Sequence, residues 1–98
     1  MAADVLMYRT PLCPYCIRAR LLLEKKGVAF REIDVAGDWE RRSWLVQVTG
    51  RRTVPQIFIN GTPIGGFDEL RELERRGVLD TLIAEEPAEA SAALAHKQ

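Results

Sequence analysis

Asn60-Gly61 stands between two short runs, Gln56-Ile57-Phe58-Ile59 and Thr62-Pro63-Ile64, and constrains the fold more than any other dipeptide in the chain. A two-residue hairpin turn that matches the twist of its strands needs positive φ at both central positions, which Asn-Gly adopts at little cost. The flanking runs are therefore predicted to pair antiparallel. Pro63 has no N–H to give to a ladder, so the second run belongs at a sheet edge.

Upstream the pattern is different. Val5-Leu6-Met7-Tyr8 is a short apolar run closed by Thr10-Pro11, consistent with a buried strand. A helix follows through Ile17 to Lys26, with Pro14 in its first turn and Cys16, Ala19, Leu22 and Leu23 on one face. Gly27 ends it after Lys25-Lys26, cations suited to a helix C-terminus. Ala29 to Val35 reads as a second strand, so strand, helix and strand form a right-handed crossover with parallel neighbours. Asp38 is the expected N-cap of a second helix reaching about Val48, before Gly50. Past the hairpin, a helix runs from about Phe67 to Arg76, and Gly77 separates it from a short one near Leu79 to Ala84. The sum is βαβ followed by αββα, an α/β fold with a four-stranded mixed sheet covered by helices. Residues 1–84 make one domain. Residues 85–98, with Pro87 and an alanine-rich stretch, are expected to form a mobile tail in which His96 has no role.

Charge excludes some partners. Residues 1–84 hold 13 Lys and Arg against 11 Asp and Glu, too balanced for the basic face that nucleic acid requires. The doublets Arg41-Arg42, Arg51-Arg52 and Arg75-Arg76 therefore read as solvated surface. No apolar run is long enough to span a bilayer. Residues 1–8 carry Asp4 and show no signal-peptide pattern, so a cytoplasmic chain is expected, where structural disulfides are rare.

The chain's two cysteines are Cys13 and Cys16, spaced C-x-x-C between the first strand and the first helix. That placement points to a thioredoxin-like redox pair. Zinc needs four ligands, and the remaining inventory is one histidine in the tail, so no metal is expected. Cys13 lies at the helix mouth, where unpaired N–H groups and the dipole favour negative charge; Arg9 is nearby. It is the expected nucleophile. Cys16, one turn further in on the apolar stripe, suits a resolving thiol.

Together, Cys13-Pro14-Tyr15-Cys16, Thr53-Val54-Pro55 and Gly65-Gly66-Phe67-Asp68 make residues 4–84 resemble a dithiol glutaredoxin of bacterial type. The resemblance implies a thioredoxin-like fold and a glutathione-dependent thiol–disulfide oxidoreductase acting on glutathionylated and disulfide-containing proteins. It implies a cis Pro55, with the Val54 backbone pairing to the cysteine of glutathione. The N–H groups of Phe67 and Asp68, after the tight turn at Gly65-Gly66, would take the γ-glutamyl carboxylate. The side chain of Asp68, with Glu69, would take the α-amino group, and Tyr15 would flank the tripeptide. Relatives often place a cation three residues before the first cysteine. Thr10 stands there in this sequence, so either Arg9, or Arg52 beside Thr53, meets the glycyl carboxylate, or that contact is weaker than in those relatives. Trp39 and Trp44 are expected to pack or lie on the surface. The chain is expected to be a monomer. Two alternatives remain at this point. One is a glutathione-independent redoxin recharged by a flavoprotein, against which the Gly65–Asp68 anion site argues. The other is a dimeric iron–sulfur carrier using Cys13, which Pro14 and Cys16 disfavour.

Overall fold

The computed structural model describes residues 3–86. Its elements are β1 (Val5–Arg9), α1 (Pro14–Lys25), β2 (Phe30–Asp34), α2 (Trp39–Thr49), β3 (Gln56–Ile59), β4 (Thr62–Gly65), α3 (Phe67–Arg75) and α4 (Leu79–Ala84). The sheet order is β2-β1-β3-β4. β1 runs parallel to β2 and antiparallel to β3, and β3 runs antiparallel to β4, so the mixed four-stranded sheet is as the sequence predicts. Asn60 (φ 53°) and Gly61 (φ 80°) both take positive φ at the hairpin, and the strand holding Pro63 is an edge.

Alternation along the strands divides the interior between the two sheet faces. Val5 and Met7 of β1, with Ile57 and Ile59 of β3, face α1, α3 and α4 and pack with Ala19, Leu23, Leu70 and Leu79. Each of the larger side chains in that set contributes about 1.5–3 kcal/mol by leaving water. The opposite face is smaller, with Tyr8, Val35, Leu45 and Phe58 under α2. Trp44 stacks on Phe58 (centroids 6.0 Å apart, planes at 17°) and lies 5.7 Å from Tyr8, so it packs while staying part-exposed; Trp39 is exposed.

Polar contacts fix the ends of the elements. Asp38 caps α2 by accepting the N–H of Arg41 at 3.0 Å, and Gly50 closes that helix with φ 75°. Lys26, at the end of α1, bridges Glu74 at 2.8 Å and Asp80 at 2.7 Å, which ties α1 to α3 and α4. Asn60 donates to the carbonyls of Glu85 (3.2 Å) and Glu86 (3.4 Å), so the first residues past α4 are held at the hairpin. The remainder of the expected tail, including His96, lies outside the described residues.

Candidate active site

Cys13 is the N-cap of α1. Its backbone is extended (φ −124°, ψ 106°), its carbonyl accepts the N–H of Ile17 at 3.0 Å, and its sulfur accepts the N–H of Cys16 at 3.1 Å. A thiol thus takes the capping position that Ser, Thr, Asp or Asn usually fills. Pro14 follows at the start of the helix, where a missing N–H is no loss. Both thiols are free. Cys13 is 9% exposed and Cys16 1%, so the first sulfur is the one nearer solvent. Burial, then the hydrogen bond to Cys13, push the Cys16 thiol up to about 12, so it is neutral at physiological pH.

A loop from Arg51 to Pro55 forms the wall opposite the thiols. The Val54–Pro55 bond is cis, and the Val54 carbonyl accepts from the Cys13 thiol at 3.7 Å. This loop is pinned along its length. Arg42 donates to the carbonyl of Arg52 at 3.1 Å, and the Gln56 amide donates to that of Thr53 at 2.8 Å.

The start of α3 supplies a third edge. Gly65 has φ 114°, and a Cβ there would lie 2.8 Å from Cγ and Oε1 of Glu69. A Cβ on Gly66 would meet the Pro55 carbonyl at 3.2 Å, so the glycine pair lets the helix start approach the loop. Gly66 has no side chain to cap the helix. Instead, Glu69 reaches back and accepts the Gly66 N–H at 2.8 Å, one half of a capping box. Within the described residues, no acceptor takes the N–H of Phe67 or Asp68. Such groups at a helix start bind anions.

These edges enclose a cleft of about 260 Å³. Tyr15, Thr53, Val54 and Pro55 line it on one side, and Gly66, Phe67, Asp68 and Glu69 on the other. The Tyr15 and Phe67 rings face each other with centroids 6.4 Å apart, and the Arg18 guanidinium lies 5.3 Å over Tyr15. Two expected residues are not brought to this lining. Arg9 is drawn to the far edge of the sheet, where it pairs with Glu32 at 3.1 Å and Asp34 at 3.7 Å on β2. Arg52 lines a separate cleft with Trp39, Arg42, Ser43 and Val46. Arg51, one of the doublets that reads from sequence as solvated surface, lines the main cleft. Its guanidinium meets both oxygens of Glu69, at 3.0 and 2.9 Å. That fork holds the Glu69 carboxyl down at about 2, against the opposing effect of partial burial and with help from the Gly66 N–H. Among the described residues, no three His, Cys, Asp or Glu side chains gather as metal ligands.

The family model described as Glutaredoxin matches residues 5–64. The chain belongs to the glutaredoxin family. It is 51% identical over 80 residues to the glutaredoxin of Pseudomonas aeruginosa, covering 82% of this chain and 95% of that protein. It is 47% identical over 81 residues to glutaredoxin 3 of Escherichia coli, covering 83% and 98%. Among solved structures, a glutaredoxin from Brucella melitensis superposes with a TM-score of 0.76 at 46% identity, covering 84% of this chain and 89% of that one. A buckwheat glutaredoxin–glutathione complex superposes with a TM-score of 0.78 at 31% identity, covering 83% and 76%. The fold is thus the thioredoxin-like fold of glutaredoxins, and the activity is glutathione-dependent thiol–disulfide oxidoreduction. The spacing of Cys13 and Cys16 fits two-cysteine chemistry of that kind.

Proposed function

We propose that Cys13 is the nucleophile and Cys16 the resolving thiol, and that the cleft beside Cys13 binds the glutathionyl moiety. The single observation that carries this reading is the cap of α1: Cys13 presents its sulfur to the Cys16 N–H at 3.1 Å and to the cleft wall at Val54. An N–H donated to sulfur is what an attacking thiolate requires, and the Cys16 thiol stands neutral one turn inside.

In the single-thiol route, the Cys13 thiolate attacks the glutathione sulfur of a protein–glutathione disulfide. The protein thiolate leaves and takes a proton, and Cys13 now carries glutathione. A second glutathione thiolate attacks that bond, forms oxidised glutathione and restores the Cys13 thiolate. In the dithiol route, Cys13 attacks a protein disulfide. Cys16 then loses its proton and displaces the protein thiol, leaving a Cys13–Cys16 disulfide. Two glutathione molecules reduce it and depart as oxidised glutathione.

The cleft supports glutathione on chemical grounds. Phe67 and Asp68 offer N–H groups to the γ-glutamyl carboxylate, and the exposed Asp68 carboxylate meets the α-amino group. The Val54 backbone pairs with the central cysteine in an extended contact. Tyr15 and Thr53 border the bound tripeptide. Arg51 lines this cleft, and Arg9 and Arg52, held on other contacts, make no contact with glutathione.

The proposed setting is the cytoplasm, with glutathionylated and disulfide-containing proteins as substrates and a monomer as the working form. Among the described residues, no helix is long and apolar enough to cross a membrane. Sedimentation tests the monomer, and fractionation of cells tests the compartment. The roles of the thiols are tested by turnover of a glutathionylated peptide with glutathione as sole reductant. Cys13→Ser is expected to abolish it and Cys16→Ser to keep much of it; equal losses overturn the assignment.

A further inference from the structure

We propose that Arg51 and Glu69 are positioning residues: their ion pair clips the loop bearing Val54 to the first turn of α3 and so sets the separation of the two walls between which glutathione is held. This rests on the reading of the cleft as the glutathione site.

The carboxylate of Glu69 is already in use. Its Oε1 accepts the Gly66 N–H at 2.8 Å and one Arg51 nitrogen at 3.0 Å, while Oε2 accepts the other at 2.9 Å. Glu69 therefore joins three points: its own helix, the turn before it, and the loop across the cleft. A bidentate guanidinium fixes distance and orientation together, which a single contact to lysine does not. The side chain also fills the space that Gly65 leaves by lacking a Cβ, so its path is set by the backbone around it. Asp68, the neighbouring acid, is exposed and makes no ion pair among the described residues, which leaves it to receive an amine.

The two walls must act at one distance because glutathione is one covalent molecule. Val54 engages its central cysteine and the start of α3 engages its γ-glutamyl end. With the clip open, either contact forms at the expense of the other. Loss of the clip should therefore weaken capture of the glutathionyl group and leave the exchange at Cys13 itself unchanged.

The test compares wild type with Arg51→Ala, Glu69→Gln, the double variant and Arg51→Lys, each assayed on a glutathionylated peptide. Either neutralising substitution is expected to raise KM about two- to fivefold with kcat unchanged, the size of an exposed ion pair. The double variant should be no worse than the poorer single one, because the clip opens only once. Arg51→Lys should recover part of the loss. Multiplied effects in the double variant would show two independent ligand contacts and overturn the proposal, as would unchanged KM in every variant. Binding of S-methylglutathione, which cannot react, is followed in parallel through the amide resonances of Phe67 and Asp68. No shift in wild type would overturn the cleft assignment itself. Shifts with equal Kd in wild type and in the folded variants would overturn the clip alone.

Discussion

Two helices begin at the same cleft, and they use their N-termini differently. α1 has no acidic residue in its first turn and is capped by the sulfur of Cys13. α3 has no side-chain cap at Gly66, carries Asp68 and Glu69 in its first turn, and spends one N–H on its own Glu69. The field at the first start is directed at the one sulfur proposed to make and break bonds. At the second start it is divided, partly answered from within and partly offered outward through Phe67 and Asp68. The contrast separates turnover from capture: substitutions at the α1 start should fall on kcat, and those at the α3 start on KM.

The largest effects lie at α1. Cys13→Ser removes the proposed attacking sulfur and should bring both glutathionylated and disulfide substrates to the uncatalysed rate. Cys16→Ser should abolish only the dithiol route, since the single-thiol route passes through Cys13 and glutathione alone. Mass spectrometry offers a direct check, because Cys16→Ser should accumulate glutathione on Cys13 while wild type accumulates an internal disulfide. A Cys16→Ser enzyme as inactive as Cys13→Ser would collapse the distinction between the two thiols.

At α3 the next effect is conformational. Gly65→Ala places a side chain at φ 114° and within 2.8 Å of Glu69, so it should cost about 1–3 kcal/mol of stability in denaturant titration. In the same variant the displaced Glu69 should raise KM. Asp68→Asn is milder. It removes the charge proposed to meet the amino group, at an exposed position, for about a tenfold rise in KM at constant kcat. A fall in kcat instead would mean that the α3 start touches the reacting atoms and that the two helix starts are not divided by task.

How much of this was legible depends on distance along the chain. Asn60-Gly61 and Gly50 declare positive φ by residue type, and Asp38 declares a cap three residues away, so the elements and the hairpin follow from local chemistry. The cysteine pair is equally local. Arg51 and Arg52 are adjacent and chemically identical, and which of them faces the cleft depends on how the loop is pinned by Arg42 and Gln56 from other elements. Arg9 lies four residues before Cys13, yet the parallel register sets it against Asp34 with Glu32 close by, and two carboxylates hold it there. Glu69 reads as a ligand because of its neighbour Asp68; only the folded chain brings Arg51, 18 residues away, onto it. Pairings across the sheet and the cleft carry no mark in the residues that make them.

The smallest expected effects come from pH, and they separate the two helix starts by opposite signs. Glu69 titrates near 2 in the fold against an ordinary 4.5. The stability it contributes is complete above about 4.5 and is lost as pH falls from there towards 2. Glu69→Gln should therefore lose stability relative to wild type at neutral pH and converge with it in acid, as read from denaturation midpoints across that range. Cys16 is shifted the other way, from 9.0 to about 12, so the fold favours its neutral thiol. Its contribution is intact below 9 and is lost as pH rises through the interval to 12, because the unfolded chain ionises first. The same proton must leave Cys16 before it can resolve a mixed disulfide. The ratio of disulfide turnover to glutathionyl turnover should accordingly climb with pH between 7 and 9 in wild type, with no counterpart in Cys16→Ser. A flat ratio would mean that the proton on Cys16 does not limit resolution, and that burial divides the two thiols by position without dividing them by rate.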